Sequence, residues 1–409
     1  MERDFYGNLP SEITTNILSR LPIRSLAISK SVCKPWLNLI DSHDFHKSEI
    51  KTPPALALLT KKTMGSTRCT IFEIEGRDEV DVEKSHDLNY IPLMDLEIPH
   101  GNSEFMEGIT AGGLLLLYSQ SMEGNPLYLC NLITREYTEL CFPEAHALNF
   151  GFGVSKISGQ YKVLVINRLR ESDSGHHVYT LGTGTWRRVE AGAASGFKFF
   201  GQNIVCNGNL HWIVFDSSHN IWICGFDVET ECFRIFSVPP GGDRGGDLSV
   251  LRDRLCYSYT CDMEVVIWMM KEYQVDASWT IEYKLRTIGF AFDLDYICVH
   301  PIKHFKDGDI LMLLDETVLI YCSNKTRIFQ QVGMFKDVAA GYLTALIFTP
   351  SLFSLKNFGF ENHTLYFRGF NAGALFILVA VDNQMVVVPR AGEHSKWITY
   401  SLLLTSETK

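Results

Sequence analysis

Residues 11–40 carry apolar residues at helical spacing. Ile13, Ile17 and Leu21 follow one another four residues apart, so they would lie on one face of an amphipathic helix. Ser11 is a suitable N-cap for this helix and Pro22 would end it. The pattern predicts two more short helices, one near Ser25 with Leu26, Ile28 and Val32, the other starting at Pro35 with Trp36, Leu37, Leu39 and Ile40. Such a thin helical module would gain stability by burying its apolar faces against another surface.

After Pro53 the pattern changes to short apolar runs of strand length. Gly, Asn and Asp residues bound these runs, as is typical of strands joined by tight turns. The clearest runs are Leu114–Tyr118, Leu127–Cys130, Tyr161–Ile166, Leu210–Phe215, Trp222–Phe226, Cys232–Val238 and Ile310–Leu314. The remainder of the chain is therefore predicted to be a large all-β domain.

One hairpin signature recurs in this β region: a strand, a short polar turn, and a second strand. Aligning its copies at Thr134, Thr185, Thr230, Trp279 and Thr326 gives intervals of 51, 45, 49 and 47 residues. A second element lies between copies, as ISGQYKVLVI, NGNLHWIVF, LRDRLCYSY and KDGDILMLL. A period near fifty with several strands per unit predicts the blades of a β-propeller. A large β-sandwich is the alternative, and the pattern leaves the number of blades open.

Composition and charge narrow the class of partner. The net charge is -10, and the basic residues form no run or stripe, so no nucleic-acid partner is expected. The 11 cysteines are odd in number and include no C-x-x-C pair, which favours reduced, core-packed thiols. The N-terminus lacks an apolar signal core, and the apolar run Ala374–Val381 is too short to span a membrane. The sequence thus predicts no membrane association and a location in the cytoplasm or nucleus.

The stretch LPSEITTNILSRLPIRSLAISKSVCKPWLNLIDSHDF, residues 9–45, resembles the F-box. The resemblance rests on the opening Leu-Pro pair and on the segments Ile17–Pro22, Val32–Trp36 and Ser42–Phe45, in that order. It implies that the helices bind a Skp-type adaptor, and through it a cullin. On this basis, the adaptor-binding residues are expected among Leu9, Pro10, Ile13, Ile17, Leu18, Leu21, Pro22, Val32, Cys33 and Trp36. An N-terminal helical cap on the β domain is the alternative that periodicity alone allows.

The β region is similar to the F-box-associated domain of plant F-box proteins, which is kelch-like. The stretches that carry this similarity are FGFGVSKISGQYKVL, NGNLHW, GFDVETECF and FTPSLFSL. With the F-box, the similarity predicts three parts: an F-box at 5–50, a propeller-like domain at 55–356, and a C-terminal extension of uncertain structure at 357–409.

Motifs for chemistry are few. The sequence contains no G-x-S-x-G, H-E-x-x-H or G-x-x-x-x-G-K pattern. Adjacent His176 and His177 would point to opposite faces of a strand, which prevents joint metal binding, and His211 is expected to be a packed strand residue. The glycine-rich stretch at 241–246 is expected to be an inter-strand loop rather than a nucleotide cradle. No cofactor, metal site or catalytic residue is therefore predicted, and a copper radical oxidase is disfavoured.

The resemblance implies a non-catalytic substrate receptor of a Skp–cullin–F-box ubiquitin ligase, which recruits target proteins for ubiquitination and degradation. The target is an unknown protein, and its binding is expected in inter-strand loops such as Arg170–His177 and Gly241–Asp247. The alternative is a propeller scaffold that binds partners without ubiquitin transfer.

Overall fold

The computed structural model describes most of the chain between residues 10 and 388. The described residues are 10–21, 23–42, 45, 55–63, 66–74, 90–99, 107–118, 127–141, 147–167, 175–262, 264–286, 299–305, 308–314, 318–326, 329–331, 343–360, 365–366, 377–381 and 384–388. Within them, three α-helices precede a long series of β-strands. No helix in this part of the chain is long and apolar enough to cross a membrane.

The helices are α1 Ser11–Leu18, α2 Ile23–Ser29 and α3 Lys34–Ile40. The expected Ser11 cap is wrong by one residue. Pro10 occupies the cap position, and its carbonyl oxygen accepts hydrogen bonds from two first-turn N–H groups at 3.0 and 3.1 Å. Ser25 lies inside α2 rather than at its start. Pro35 lies in the first turn of α3, where a missing N–H costs no helical hydrogen bond.

The described strands form six antiparallel blades around one axis, and each blade has four strands except blade II, which has a fifth strand at its outer edge. Blade I contains β1 Ala55–Thr63, β2 Ser66–Ile74 and β3 Tyr90–Pro99, and blade II contains β4 Glu107–Ala111, β5 Leu114–Tyr118, β6 Leu127–Asn131 and β7 Glu136–Glu139. Blade III contains β8 Ala147–Val154, β9 Tyr161–Asn167, β10 Gly175–Thr180 and β11 Trp186–Glu190, and blade IV contains β12 Lys198–Cys206, β13 Asn209–Phe215, β14 Ile221–Phe226 and β15 Phe233–Ser237.

The remaining strands complete the ring. Blade V contains β16 Asp247–Leu251, β17 Arg254–Cys261, β18 Glu264–Met270 and β19 Trp279–Arg286, and blade VI contains β20 Val299–His304, β21 Ile310–Leu314, β22 Val318–Cys322 and β23 Phe329–Gln331. The next strand, β24 Leu343–Phe348, pairs with β1 from Ala55↔Phe348 to Thr60↔Leu343 and becomes the innermost strand of blade I. The ring is therefore closed by hydrogen bonds between the two ends of the β region.

This architecture is a six-bladed β-propeller. The innermost strands contact one another in circular order, from β24 through β4, β8, β12, β16 and β20 back to β24. The alternative of a β-sandwich is wrong, because the described strands of residues 55–348 form six separate sheets rather than two facing ones.

The sequence period is confirmed as the blade repeat. Thr134, Thr185, Thr230 and Thr326 lie between the third and fourth strands of blades II, III, IV and VI, and Trp279 begins the fourth strand of blade V. The second recurring element covers the hairpin between the first two strands of blades III to VI. Each aligned position thus marks the same turn of successive blades.

The core is divided among the six interfaces between neighbouring blades. Leu116 and Phe150 lie in the cluster between blades II and III, for example, and Trp212 lies in the cluster between blades III and IV. Similar apolar clusters join the other four pairs of neighbours. Each blade buries its faces against the next one, which is why the hydrophobic pattern repeats along the chain.

The strand order defines two faces of the propeller. We define the lower face by two turns of each blade: the turn between the first and second strands and the turn between the third and fourth strands. The upper face carries the turns from second to third strand and the connections to the next blade.

The predicted C-terminal extension contributes strands. Leu365–Tyr366, β25, pairs with β7 at the outer edge of blade II. Ile377–Val381 and Gln384–Val388, β26 and β27, form a hairpin with each other.

Candidate functional site

The helical module has a small apolar core that includes residues of the propeller. Leu18 of α1, Leu26 of α2 and Ile40 of α3 are fully buried together, and Phe45 joins them. Leu352, which follows β24, completes the same cluster, and Ile133 from the turn between β6 and β7 packs against it. The module is thus attached to the lower face of blade II.

A second face of α1 is apolar but exposed. Ile13 and Ile17 lie one helical turn apart and are 49% and 50% exposed, although they are β-branched aliphatic residues. Val32, between α2 and α3, is 56% exposed, and Leu37 on α3 is exposed as well. Single exposed apolar residues are common, but four of the nine exposed large apolar side chains among the described residues lie in this module of three short helices.

The structure divides the predicted adaptor-binding residues into three groups. Leu18 belongs to the core of the module, whereas Leu21, Cys33 and Trp36 are partly buried. The exposed members are Pro10, Ile13, Ile17 and Val32. Leu9 and Pro22 lie outside the described residues.

Leu37 is an exposed apolar residue that the sequence did not single out as a contact. Its helix, α3, has seven residues, and four of them are apolar, at positions 36, 37, 39 and 40. These four side chains cannot all lie on one face of so short a helix. This excess is the signal that at least one of them had to face outward.

The segment that follows β24 packs against the helical module and supports it. The Asn131 side-chain amide donates hydrogen bonds to the carbonyl oxygens of Ser351 and Phe353 at 3.0 and 2.7 Å. The Glu136 carboxylate accepts hydrogen bonds from the Ser354 hydroxyl at 2.9 Å and from the Leu355 N–H at 2.8 Å. These bonds hold the segment against blade II and fix Leu352 beneath the helices.

Of the two predicted target-binding loops, Gly241–Asp247 lies on the upper face, away from the helical module. Residues 170–174 are outside the described part of the chain, and 175–177 begin β10. The stretch from Gly241 to Asp247 is the connection from blade IV to blade V and contains a short 3-10 turn at Gly242–Arg244. The Tyr257 hydroxyl donates to the Gly242 carbonyl oxygen at 2.8 Å, so this stretch is packed onto blade V as an inter-strand connection.

The histidines considered as ligands or bases are structural. His176 is fully buried beside Phe199 and Phe233, whereas His177 pairs with the Asn167 side chain at 2.9 Å. His211 is fully buried, and its Nε2 lies 3.0 Å from the Tyr273 hydroxyl, as expected for a packed strand residue. Burial lowers the pKa of His176 and of His211 to about 4.

The described residues contain no group of three or more His, Cys, Asp or Glu side chains that could hold a metal ion. None of the ten described cysteines forms a disulfide, and six of them are buried. Burial raises the pKa of the Cys206 thiol and of the Cys256 thiol to about 12, which keeps these groups protonated and unreactive.

The described chain thus combines two parts, a closed six-bladed propeller and a helical module on its lower face. Comparison with known families agrees with both parts. Residues 7–48 match the model of the F-box domain, and residues 62–355 match the model of the F-box associated beta propeller domain. The chain therefore belongs to the family of F-box proteins that carry the F-box associated beta propeller domain.

Relatives in Arabidopsis thaliana align along most of their length. The F-box protein At3g07870 is 28% identical over 81% of this chain and 87% of its own length. The F-box protein CPR1 is 24% identical over 86% of this chain and 90% of its own length. The F-box/kelch-repeat protein At3g23880 is 25% identical over 78% of this chain and 88% of its own length.

Proposed function

We propose that this chain is the substrate-recognition subunit of a Skp–cullin–F-box ubiquitin ligase, located in the cytoplasm or nucleus. The observation that carries the proposal is the division of the molecule into two faces. The exposed side chains Ile13, Ile17 and Val32 belong to an F-box on the lower face. In this proposal the target protein binds on the upper face, which carries the turns from second to third strand and the connections between blades.

In this proposal the chain acts by proximity and performs no chemical step. The F-box binds a Skp-type adaptor and, through it, a cullin. The propeller holds a target protein in the same complex, which raises the effective concentration of its lysines near the charged ubiquitin-conjugating enzyme. The packing of Leu352 and Ile133 against the helices supports this mechanism, because it fixes the direction from adaptor to propeller.

The first test is binding of the full chain to a purified Skp-type adaptor by calorimetry. The double variant Ile13→Asp, Ile17→Asp should lose at least about tenfold in affinity, or about 1.4 kcal/mol. The half-exposed isoleucines would bury their remaining apolar surface on binding, whereas the new carboxylates would lose water without gaining a partner.

Ile157→Asp is the matched control, because Ile157 is a largely exposed isoleucine on the lower face of blade III. It should leave adaptor affinity unchanged. Thermal unfolding of each variant distinguishes a lost contact from a damaged fold. Leu18→Ala, which removes a side chain from the core of the module, shows how a damaged fold behaves in the same assay. An intact chain that does not bind the adaptor would contradict the proposal and leave the helices as an intramolecular cap.

A second assay separates a ligase subunit from a propeller scaffold. The adaptor-bound chain should recruit a cullin and accept ubiquitin on itself when the charged conjugating enzyme is supplied. Adaptor binding without cullin recruitment would favour the scaffold.

A further inference from the structure

The propeller encloses a cavity of about 780 Å³ along its axis, which we call the axial cavity. The innermost strand of each blade runs from the upper to the lower face, so the position of a lining residue in its strand gives its depth. Five lining residues lie near the upper ends of β12, β16 and β20, and we call them the upper mouth. They are Phe200, Gly201, Gln202, Asp247 and His300.

The two ends of the axial cavity differ in charge. Arg252, Asp253 and Lys303 line the lower end, where Arg252 donates to the Glu282 carboxylate at 2.9 Å. Five residues of extended strand separate Asp247 from Arg252, which corresponds to about 17 Å. Salt at physiological concentration screens charges over about 8 Å. The charges of the lower end therefore act only weakly on a group that is bound in the upper mouth.

Phe200 presents its ring to solvent in the upper mouth. It is 60% exposed and lies where the pairing of β12 with β13 is interrupted, between Phe200 and Ile204. Gly201 follows it with a φ of 65°, and bulges of this kind redirect side chains beside functional sites. The ring packs edge-to-face with Phe215, with centroids 5.7 Å apart, which holds it in place. Lys198, two residues earlier on β12, is exposed but does not line the cavity.

Asp247 supplies the charge of the upper mouth. Its Oδ2 has no hydrogen-bond partner among the described residues and lies 3.6 Å from His300 Nε2, which carries a charge only when protonated. That oxygen is enclosed, but 21% of the side chain is exposed. The carboxylate also lies close to Phe200. Phe200 pairs with Ile213, which packs in one cluster with Leu248, the residue next to Asp247.

An exposed aromatic ring beside a carboxylate is a combination that suits a guanidinium group. The planar guanidinium stacks on an aromatic face and pairs with a carboxylate at the same time. The net charge of -10 would also attract a basic partner. We propose that the upper mouth binds an arginine side chain of the target protein, which stacks on Phe200 and pairs with Asp247. This inference deepens the proposed function, since it names the chemistry of the target.

The test uses the full chain and a terminally blocked Gly-Gly-Arg-Gly-Gly peptide, without adaptor, so it is independent of F-box binding. Binding is followed by ligand-observed NMR titration up to about 10 mM peptide, the range suited to a ligand with a single anchoring side chain. The arginine peptide should bind. A citrulline peptide, which has nearly the same shape but no charge, should bind at least about tenfold more weakly. A lysine peptide should bind about threefold more weakly, because an ammonium has no flat face to stack.

Variants of the upper mouth locate the site. Asp247→Asn should weaken binding of the arginine peptide about tenfold, because it removes the paired charge. Phe200→Leu should weaken it about threefold, whereas Phe200→Tyr keeps an aromatic face and should bind normally.

Asp243→Asn is the matched control for charge. Asp243 is an exposed carboxylate of the same connection between blades IV and V, and it does not line the axial cavity. Its removal changes the net charge equally and should leave the affinity unchanged. Thermal unfolding establishes that each variant is folded, and the comparison of Phe200→Leu with Phe200→Tyr decides the question if Asp247→Asn is not.

Three results would overturn the proposal. The first is an arginine peptide that does not bind the intact chain, or binds no better than its citrulline or lysine counterpart. The second is an equal loss of affinity in Asp243→Asn and Asp247→Asn, which would indicate general attraction to an acidic surface. The third is unchanged binding by folded Phe200→Leu. None of these results depends on whether the chain binds an adaptor.

Discussion

At the scale of single residues, burial decides the role of the polar groups. His176 and His211 have side chains that serve as bases or ligands in other proteins, yet both are enclosed by aromatic and apolar neighbours. Desolvation favours the neutral imidazole in the folded state. These residues therefore contribute a dependence of stability on pH rather than chemistry.

The free energy of unfolding should fall between pH 6.5 and about 4. Burial lowers the pKa of both histidines to about 4, whereas the unfolded chain titrates near 6.5. The unfolded chain thus binds more protons in this range, so the stabilisation is complete above pH 6.5 and is lost as pH falls toward 4. The two groups together give a slope of at most about 2.7 kcal/mol per pH unit, measurable by urea unfolding.

His211→Gln should roughly halve that slope, because it removes one of the two titrating groups. His219→Asn is the control, since His219 lies exposed in the turn between β13 and β14. An unchanged slope in His211→Gln would contradict the assignment of the pH dependence to buried histidine.

Residue roles in the F-box were only partly predictable from sequence. Helical periodicity correctly placed Ile13 and Ile17 on one face, but it could not show that this face is exposed. The core around Leu18 is completed by Leu352 and Ile133, which lie more than a hundred residues away in sequence. No local pattern contains such a contact, so burial and exposure within the module became visible only in the folded chain.

At the scale of elements, turn chemistry repeats from blade to blade. Asn131 in blade II accepts hydrogen bonds from the N–H groups of Ile133 and Thr134. Asp227 in blade IV accepts them from Glu229 and Thr230 in the same way. This side-chain cap of the turn is the physical reason for the recurring Asn, Asp and Thr in the sequence, and it explains why the repeat was detectable.

Contacts between side chains of different blades, unlike the turn repeat, could not be predicted from the sequence. Lys162 of β9 is buried, and its ammonium donates to the Val228 carbonyl oxygen at 2.7 Å and lies 2.8 Å from the Glu231 carboxylate. Arg187 of β11 also pairs with Glu231. This cluster joins blade III to the last turn of blade IV, and nothing in the local sequence pairs a lysine with a carboxylate so far along the chain.

Lys162→Met should destabilise the protein by about 3 kcal/mol, because it leaves a mostly buried carboxylate and a carbonyl oxygen without their ammonium partner. The double variant Lys162→Met, Glu231→Gln should recover part of this loss. Urea unfolding measures both free energies and hence the coupling between the two sites.

Lys271→Met is the matched control for this experiment. Lys271 pairs with Glu282 at 2.7 Å but is 40% exposed, so its replacement should cost less than about 1 kcal/mol. If Lys162→Met and Lys271→Met lowered the free energy of unfolding equally, the Lys162 ion pair would contribute no more than a surface ion pair.

At the scale of the whole molecule, one segment performs two tasks. β24 closes the ring by pairing with β1. The residues that follow it are hydrogen-bonded to blade II and pack against the F-box helices. The fold class was predictable from the blade period, because every blade repeats the same hairpins. The closure of the ring by β24 and the packing of Leu352 against the F-box were not predictable, since both depend on contacts between distant parts of the chain.

This arrangement predicts that Leu352→Asp will uncouple the F-box from the propeller. The new carboxylate would lie in the apolar cluster with Leu18, Leu26 and Ile40, at a cost of about 3 kcal/mol to the packing of the module. Limited proteolysis should then release the helical segment early, while the propeller keeps its β circular dichroism. Thr349→Asp, at an exposed residue of the same segment, should leave the cleavage rate unchanged. Equal protection of the helices in both variants would mean that Leu352 does not hold the F-box in place.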